Sequence, residues 1–163
     1  IFNFMNINYV TINDCNELDR LRFIKFVYDN TDSFILNTFG HVWSGRNWWD
    51  KFPIEVCTDD TGKVLGLHAY TVNDKAQYTL KTYYIVTSKE SRGKGVAKLL
   101  IKNAIHKHKD RIKIYYVNSD IKSQGAIFYK KWFGNNFNTA KNDFNSEDIT
   151  FKEPIYNIID GQS

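Results

Sequence analysis

Between Tyr83 and Leu100 the chain runs Tyr-Tyr-Ile-Val-Thr-Ser-Lys-Glu-Ser-Arg-Gly-Lys-Gly-Val-Ala-Lys-Leu-Leu, and no other stretch limits its fold so tightly. Aromatic and β-branched residues open it as a strand, Ser88 to Ser91 form a polar turn, and Gly93 and Gly95 punctuate a loop. An amphipathic helix follows, with Val96, Leu99, Leu100, Ala104 and Ile105 on one face and lysines opposite. A glycine loop at a helix N-terminus is an anion site: first-turn N–H groups point outward, and the helix dipole favours negative charge. Arg92, Lys94 and Lys98 add positive charge there. Two other phosphate loops do not fit. The nucleotide P-loop needs Ser or Thr after Gly-Lys, whereas Gly62-Lys63 and Gly93-Lys94 are followed by Val64 and Gly95. The dinucleotide fingerprint would begin at Gly93, but Lys98 occupies its third glycine position.

The 163 residues suffice for one domain with a full core, expected over residues 5–163. The chain opens on Ile1 and its first Met is Met5, so residues 1–4 read either as an upstream remnant or as part of a longer product. Aromatic content of 16% beside 25% charged residues excludes a disordered polar chain. Cys15 and Cys57 are too few for a disulfide framework and match no metal spacing. No metal, no membrane association and a cytoplasmic location are therefore expected. The net charge of +4 suits a phosphate-rich ligand or a nucleic acid, and equally an ordinary solvated surface.

Ile7 to Ile12 alternates as a first strand. A helix follows, capped by Asp14 or Asn16, with Leu18, Leu21, Ile24 and Tyr28 at helical spacing. Asp32 to Phe39 predicts a second short helix ended by Gly40, and the tryptophan-rich stretch from His41 to Pro53 a loop or lid. Ile54–Cys57 and Lys63–Tyr70 form a hairpin across Thr58-Asp59-Asp60-Thr61-Gly62. Strands are further expected from Tyr78 to Thr87 and from Arg111 to Val117, and a helix from Ser123 to Trp132 ended at Gly134. The tail reads as polar until Ile149-Thr150-Phe151 and Ile155–Ile159, a last strand or strand pair. The order β-α-α-β-β-β-α-β-α-β predicts an α+β fold: a mixed, mostly antiparallel central sheet flanked by helices.

Arg92-x-x-Gly95-x-Ala97 resembles the R/Q-x-x-G-x-G/A signature of the GNAT superfamily of acyl-CoA N-acyltransferases, and the element order is similar to that fold along nearly the whole chain. The hairpin residues Asp60, Gly62, Lys63 and Gly66 match a D-x-G-K-x-x-G pattern that recurs there. The resemblance implies a splayed strand pair at the cofactor site and acetyl-CoA, or another short acyl-CoA, as co-substrate. Main-chain groups of Ile85, Val86 and Thr87 would pair with the pantetheine arm. Arg92, Gly93, Lys94, Gly95, Val96 and Ala97 would hold the pyrophosphate.

Many members carry N-x-x-A-x-x-x-Y after the next strand, the Asn holding pantetheine and the Tyr protonating the leaving thiolate. The matching stretch puts Tyr129 on the tyrosine position, with Lys122 or Ser123 in place of the Asn. An unperturbed phenol is protonated at neutral pH and can serve as an acid. No acid stands at Thr82 or Tyr83, where many members have a Glu; His68 is the candidate base, with Glu55 nearby on the hairpin. His41, Trp43, Arg46, Trp48 and Trp49 fall on the acceptor side of such folds and could stack on or hold the acceptor.

The resemblance thus implies an acetyl-CoA-dependent N-acetyltransferase acting on a primary amine by direct attack in a ternary complex. The acceptor, whether small molecule, peptide or nucleic acid, stays open, and a homodimer is compatible with the sequence. The alternatives are a nucleic-acid or aminoacyl-tRNA modifier on the same fold, and a non-catalytic acyl-CoA-binding module.

Overall fold

The first helix starts where the Asn16 side chain takes over a turn: its Oδ1 accepts the Asp19 main-chain N–H at 2.8 Å, a side-chain N-cap. That settles the choice between Asp14 and Asn16. The computed structural model describes residues 6–11, 15–30, 53–73, 75, 78–120, 124–134, 136–141 and 146–151. The predicted helix from Asp32, the tryptophan-rich segment and the strand at 155–159 lie outside them.

The elements are β1 (Asn6–Thr11), α1 (Glu17–Asn30), β2 (Pro53–Thr58), β3 (Val64–Asn73), β4 (Thr79–Thr87), a 3-10 turn (Lys89–Ser91), α2 (Val96–His108), β5 (Ile114–Asp120), α3 (Gln124–Phe133), β6 (Phe137–Lys141) and β7 (Ser146–Phe151). The strands hydrogen-bond in the order β1-β2-β3-β4-β5-β7-β6. Pairs β1–β2, β2–β3, β5–β7 and β6–β7 are antiparallel and β4–β5 is parallel, the mostly antiparallel α+β sheet expected. The parallel pairing spans Thr79↔Ile114 to Thr82↔Val117, although β4 continues to Thr87 and β5 to Asp120. The chain divides into two packing units that share β3, β4 and α2: Ile1–Tyr70 with Tyr84–Ile101, and Thr71–Tyr83 with Lys102–Ser163.

In the first unit, Phe23, Phe26 and Val27 of α1 pack on Ile54, Val56, Leu67, Ala69 and Val86. Burying each such side chain contributes about 1.5–3 kcal/mol. The expected apolar stripe of α1 is corrected here. Leu18, Leu21 and Tyr28 are exposed, and the buried set falls at i, i+3, i+4 from Phe23 instead. Both sets have helical spacing, so periodicity alone could not choose between them. The second core cluster joins Cys57 and Leu65 to Val96 and Leu100, with Ile7, Ile85 and Leu99 against it.

The hairpin turn is built by Asp59. Its Oδ1 accepts the Thr61 N–H at 2.9 Å, the Thr61 hydroxyl at 2.6 Å and the Lys63 N–H at 3.0 Å, while Gly62 takes φ +86°. A register shift at Cys57/Thr58 marks a bulge that brings Gly66 against α2. A Cβ at Gly66 would lie 2.7 Å from Val96 Cγ1 and 3.0 Å from Leu100 Cδ1, so only glycine admits the helix at this depth.

In the second unit, α3 covers one sheet face. The Phe133 ring lies 5.0 Å from Phe151 and 6.1 Å from Tyr115, and Lys130 forms an ion pair with the buried Glu147. Gly134, at φ +62°, ends α3 by donating to the Lys130 carbonyl at 3.0 Å. Two boundaries differ from the sequence reading. The fifth strand starts at Ile114 rather than Arg111, because Arg111 bonds back to the His108 carbonyl in a turn. Strand β6 has four exposed residues in its Phe-Asn-Thr-Ala-Lys run and so carried no apolar signal.

Gly66→Ala should lower stability by about 1–3 kcal/mol, the usual cost of overpacking. Urea melts of Gly66→Ala, Val96→Ala and the double variant measure it. The double variant should recover part of the loss, since the clash is with the Val96 methyl.

Candidate functional site: a glycine loop at the start of a helix

The loop begins where β4 leaves the sheet. The Ser88 N–H donates to the Leu65 carbonyl at 2.9 Å, and the buried Ser88 hydroxyl donates to that of Ser91 at 2.6 Å. The Lys94 N–H donates to the Ser91 carbonyl at 3.2 Å, closing the turn. Gly93 and Gly95 then take φ of +78° and +88°, the left-handed region that side chains resist. Nothing lies within 4 Å of a Cβ built on either. Among the described residues, the main-chain N–H groups of Arg92, Gly93, Gly95, Val96 and Ala97 donate to no protein acceptor. They sit at the N-terminus of α2, where the helix dipole adds partial positive charge.

The surrounding charges divide into two kinds. The Arg92 guanidinium donates to the Asn30 carbonyl at 2.8 Å, capping α1, while the Lys89 N–H donates to Asn30 Oδ1 at 3.0 Å. Asn30 thus fastens the end of α1 to the loop. Lys63 pairs with Glu90 at 2.8 Å and ties the hairpin to the 3-10 turn; mutual attraction raises the Lys63 pKa and lowers that of Glu90. Both groups are exposed, so this tie is a weak one. Lys94 is exposed and Lys98 half-buried on the loop and the first turn of α2.

Ile85 and Val86 put their side chains into the cores on opposite faces of β4. A main-chain role for Ile85, Val86 and Thr87 is compatible with that packing.

Glu55 and His68 are directly opposite across β2–β3, both fully buried, with His68 Nδ1 3.9 Å from Glu55 Oε2. Burial lowers the His68 pKa, and the nearby Glu55 carboxylate only partly offsets that, so the imidazole is neutral. The Tyr70 ring lies 5.0 Å away. Cys57 is a buried free thiol pushed up to about 11 by desolvation, which leaves it inert as a nucleophile.

In the second unit, Tyr129 is 3% exposed, with its hydroxyl buried. The hydroxyls of Thr82 and Tyr115 bond to each other at 2.6 Å. Tyr129 lies near enough for both to act on its ionisation, without completing a hydrogen bond of good geometry. Burial drives both phenols well above their ordinary pKa, so each is protonated. The sequence offered no local sign of this hydroxyl cluster, since Thr82 and Tyr115 are 33 residues apart. Lys122, Ser123, His41, Trp43, Arg46, Trp48 and Trp49 lie outside the described residues.

The acetyltransferase (GNAT) family profile matches residues 20–134, which span both the glycine loop and Tyr129. The chain belongs to the GNAT acetyltransferase family. Solved structures share the fold at low identity. The PaiA N-acetyltransferase of Thermoplasma acidophilum, in complex with coenzyme A, superposes with a TM-score of 0.71 at 14% identity, covering 91% of this chain and 98% of that one. A protein of Desulfovibrio desulfuricans assigned to the GNAT family gives 0.66 at 12% identity, covering 90% and 96%. The ribosomal-protein-S18-alanine N-acetyltransferase of Escherichia coli gives 0.60 at 14%, covering 92% and 94%. A search of curated protein sequences finds no match. Among the described residues of this GNAT protein, no helix is long and apolar enough to cross a membrane.

The buried imidazole carries a pH signature. With its pKa below the ordinary value of 6.5 in the fold, His68 binds fewer protons folded than unfolded. Stability should therefore fall as pH drops below about 6.5. Urea midpoints between pH 5 and 8 should show a slope in the parent that is reduced in His68→Gln. An unchanged slope would assign the titration to other groups.

Proposed function

We propose that the chain transfers an acetyl group, or another short acyl group, from acyl-CoA to a primary amine by direct attack in a ternary complex. The observation that carries this reading is the set of outward main-chain N–H groups from Arg92 to Ala97, laid over two left-handed glycines at a helix start. That cradle suits a pyrophosphate: it is cationic, backbone-lined and open where a side chain would stand. Lys94 and Lys98 would add charge, whereas the Arg92 side chain is already engaged with Asn30.

Bound acyl-CoA supplies an activated thioester. The chain's own residues then have five tasks. Main-chain groups of Ile85, Val86 and Thr87 align the pantetheine arm, and an N–H at Val86 or Thr87 polarises the thioester carbonyl. Tyr129 gives its proton to the departing thiolate, and Lys122 or Ser123 adds a contact to the arm. His41, Trp43, Arg46, Trp48 and Trp49 receive the acceptor. His68, being neutral, has the protonation state of a base, and its burial requires that it act through a relay. We place the protein in the cytoplasm, where Cys15 and Cys57 would remain thiols.

Acetyl-CoA should raise the melting temperature of the parent, and Gly95→Glu should abolish the rise by putting a carboxylate where phosphate must sit. A normal rise in the folded variant would move the cofactor elsewhere. Incubating cell extract with labelled acetyl-CoA, with and without the protein, should reveal the labelled amine by mass spectrometry.

Tyr129→Phe should lower kcat by about 10²-fold, the lower end for a lost general acid, with the KM for acetyl-CoA little changed. Since the hydroxyl completes no good hydrogen bond, stability should barely move. Full activity in the Phe variant would return Tyr129 to a packing role.

A further inference from the structure

Among the described residues, the sheet of the second unit is partly exposed on the face away from α3, although Thr79 on that face is buried. Strands β4, β5, β7 and β6 stand in that order, and the face with Thr82, Tyr115, Val117 and Ile149 is buried, with α3 against it. On the opposite face, the register sets Lys81 beside Tyr116, Tyr116 beside Thr150, and Thr150 beside Asn138. Tyr83 and Ile114 are each 40% exposed on that face, and Tyr78, just before β4, is 45% exposed. Exposed aromatic rings clustered on a sheet face mark a candidate interaction surface.

The charges there favour one kind of cover. Lys81 Nζ lies 5.7 Å from the Tyr83 ring centroid and 5.4 Å from that of Tyr116, and Lys113 Nζ lies 5.5 Å from that of Tyr78. Tyr78, Lys113, Lys109 and Arg111 also line a concavity of about 380 Å³, with Asp110 and Ile112. Tyr78 has φ +50°, the one left-handed non-glycine among the described residues. Its carbonyl accepts the N–H groups of Lys113 at 2.7 Å and Ile114 at 3.1 Å, which fix its backbone beside that concavity.

We propose that this face binds single-stranded nucleic acid, bases stacking on Tyr78, Tyr83 and Tyr116 and phosphates meeting Lys81, Lys109 and Lys113. Four-stranded sheets with surface aromatics bind single strands in this way, because every base offers a π-face and every nucleotide a charge. An acidic protein surface would use the cations alone, whereas a single strand uses both the cations and the ring faces. Two carboxylates, Asp110 and Asp148, stand on or beside the face, so the binding is of moderate strength and local to the lysine-tyrosine strip. The proposal concerns docking and holds whichever amine is acylated.

The test is fluorescence anisotropy with labelled oligouridine and oligothymidine of about twelve nucleotides, near the span of one single-strand-binding module. Binding should weaken linearly in log K against log salt. Lys81→Glu with Lys113→Glu should cost at least about tenfold and flatten that slope by about two. Tyr83→Ala and Tyr78→Ala should each cost about tenfold with the slope kept, since stacking is not electrostatic. Lys25→Glu on α1 should change nothing, and an unaltered far-ultraviolet circular dichroism spectrum and urea midpoint report that every variant is folded. Three results would overturn the proposal: no binding at low salt, equal binding by the strip variants, or tyrosine variants without effect while polyglutamate competes as well as RNA. The last would assign the face to an acidic protein.

Discussion

The approach of β3 to the start of α2 is the constraint on which the rest depends. Gly66 lets Val96 and Leu100 settle where any side chain on the strand would collide with them. That contact fixes the first turn of α2, and the first turn carries the N–H groups of the loop. Gly62 and Asp59 set the register that delivers Gly66, through the turn and the bulge at Cys57/Thr58. The hairpin pattern therefore serves the loop some thirty residues later through packing, by aiming a helix.

A second economy concerns charge. Of the basic side chains near the loop, Arg92 caps α1 and Lys63 pairs with Glu90, so both hold the frame. Besides Lys94 and Lys98, the groups facing outward at the cradle are main-chain amides, which have no rotamer entropy to lose on binding. A site made of backbone needs its frame fixed from several sides. Asn30, Ser88, Leu65 and Ser91 do this with short hydrogen bonds into or within the loop.

What could be read from the sequence was whatever is local. The strand–loop–helix, the hairpin turn at 58–62, a polar cap at Asp14 or Asn16 and the Gly134 stop each lie within a few residues and declare themselves by residue type. What could not be read depends on partners far along the chain. Two stripes on α1 had equal helical spacing, and only the packing of Phe23, Phe26 and Val27 on β2 and β3 chose between them. The destination of the Arg92 side chain was hidden because Asn30 lies 62 residues earlier. The pairing of Thr82 with Tyr115 beside Tyr129 was hidden for the same reason. The parallel β4–β5 pair, four positions long, emerges only from the assembled sheet.

Strand β6 escaped notice because Asn138, Thr139, Ala140 and Lys141 are exposed and carry no apolar pattern. It is the outermost described strand on its side of the sheet. An unpaired strand edge is a template on which another chain can add its own strand, and apolar side chains would hold the newcomer there. Five residues, four of them exposed and the last a lysine, give such an addition little to grip. The same plainness that made β6 illegible makes it a poor template for such an addition.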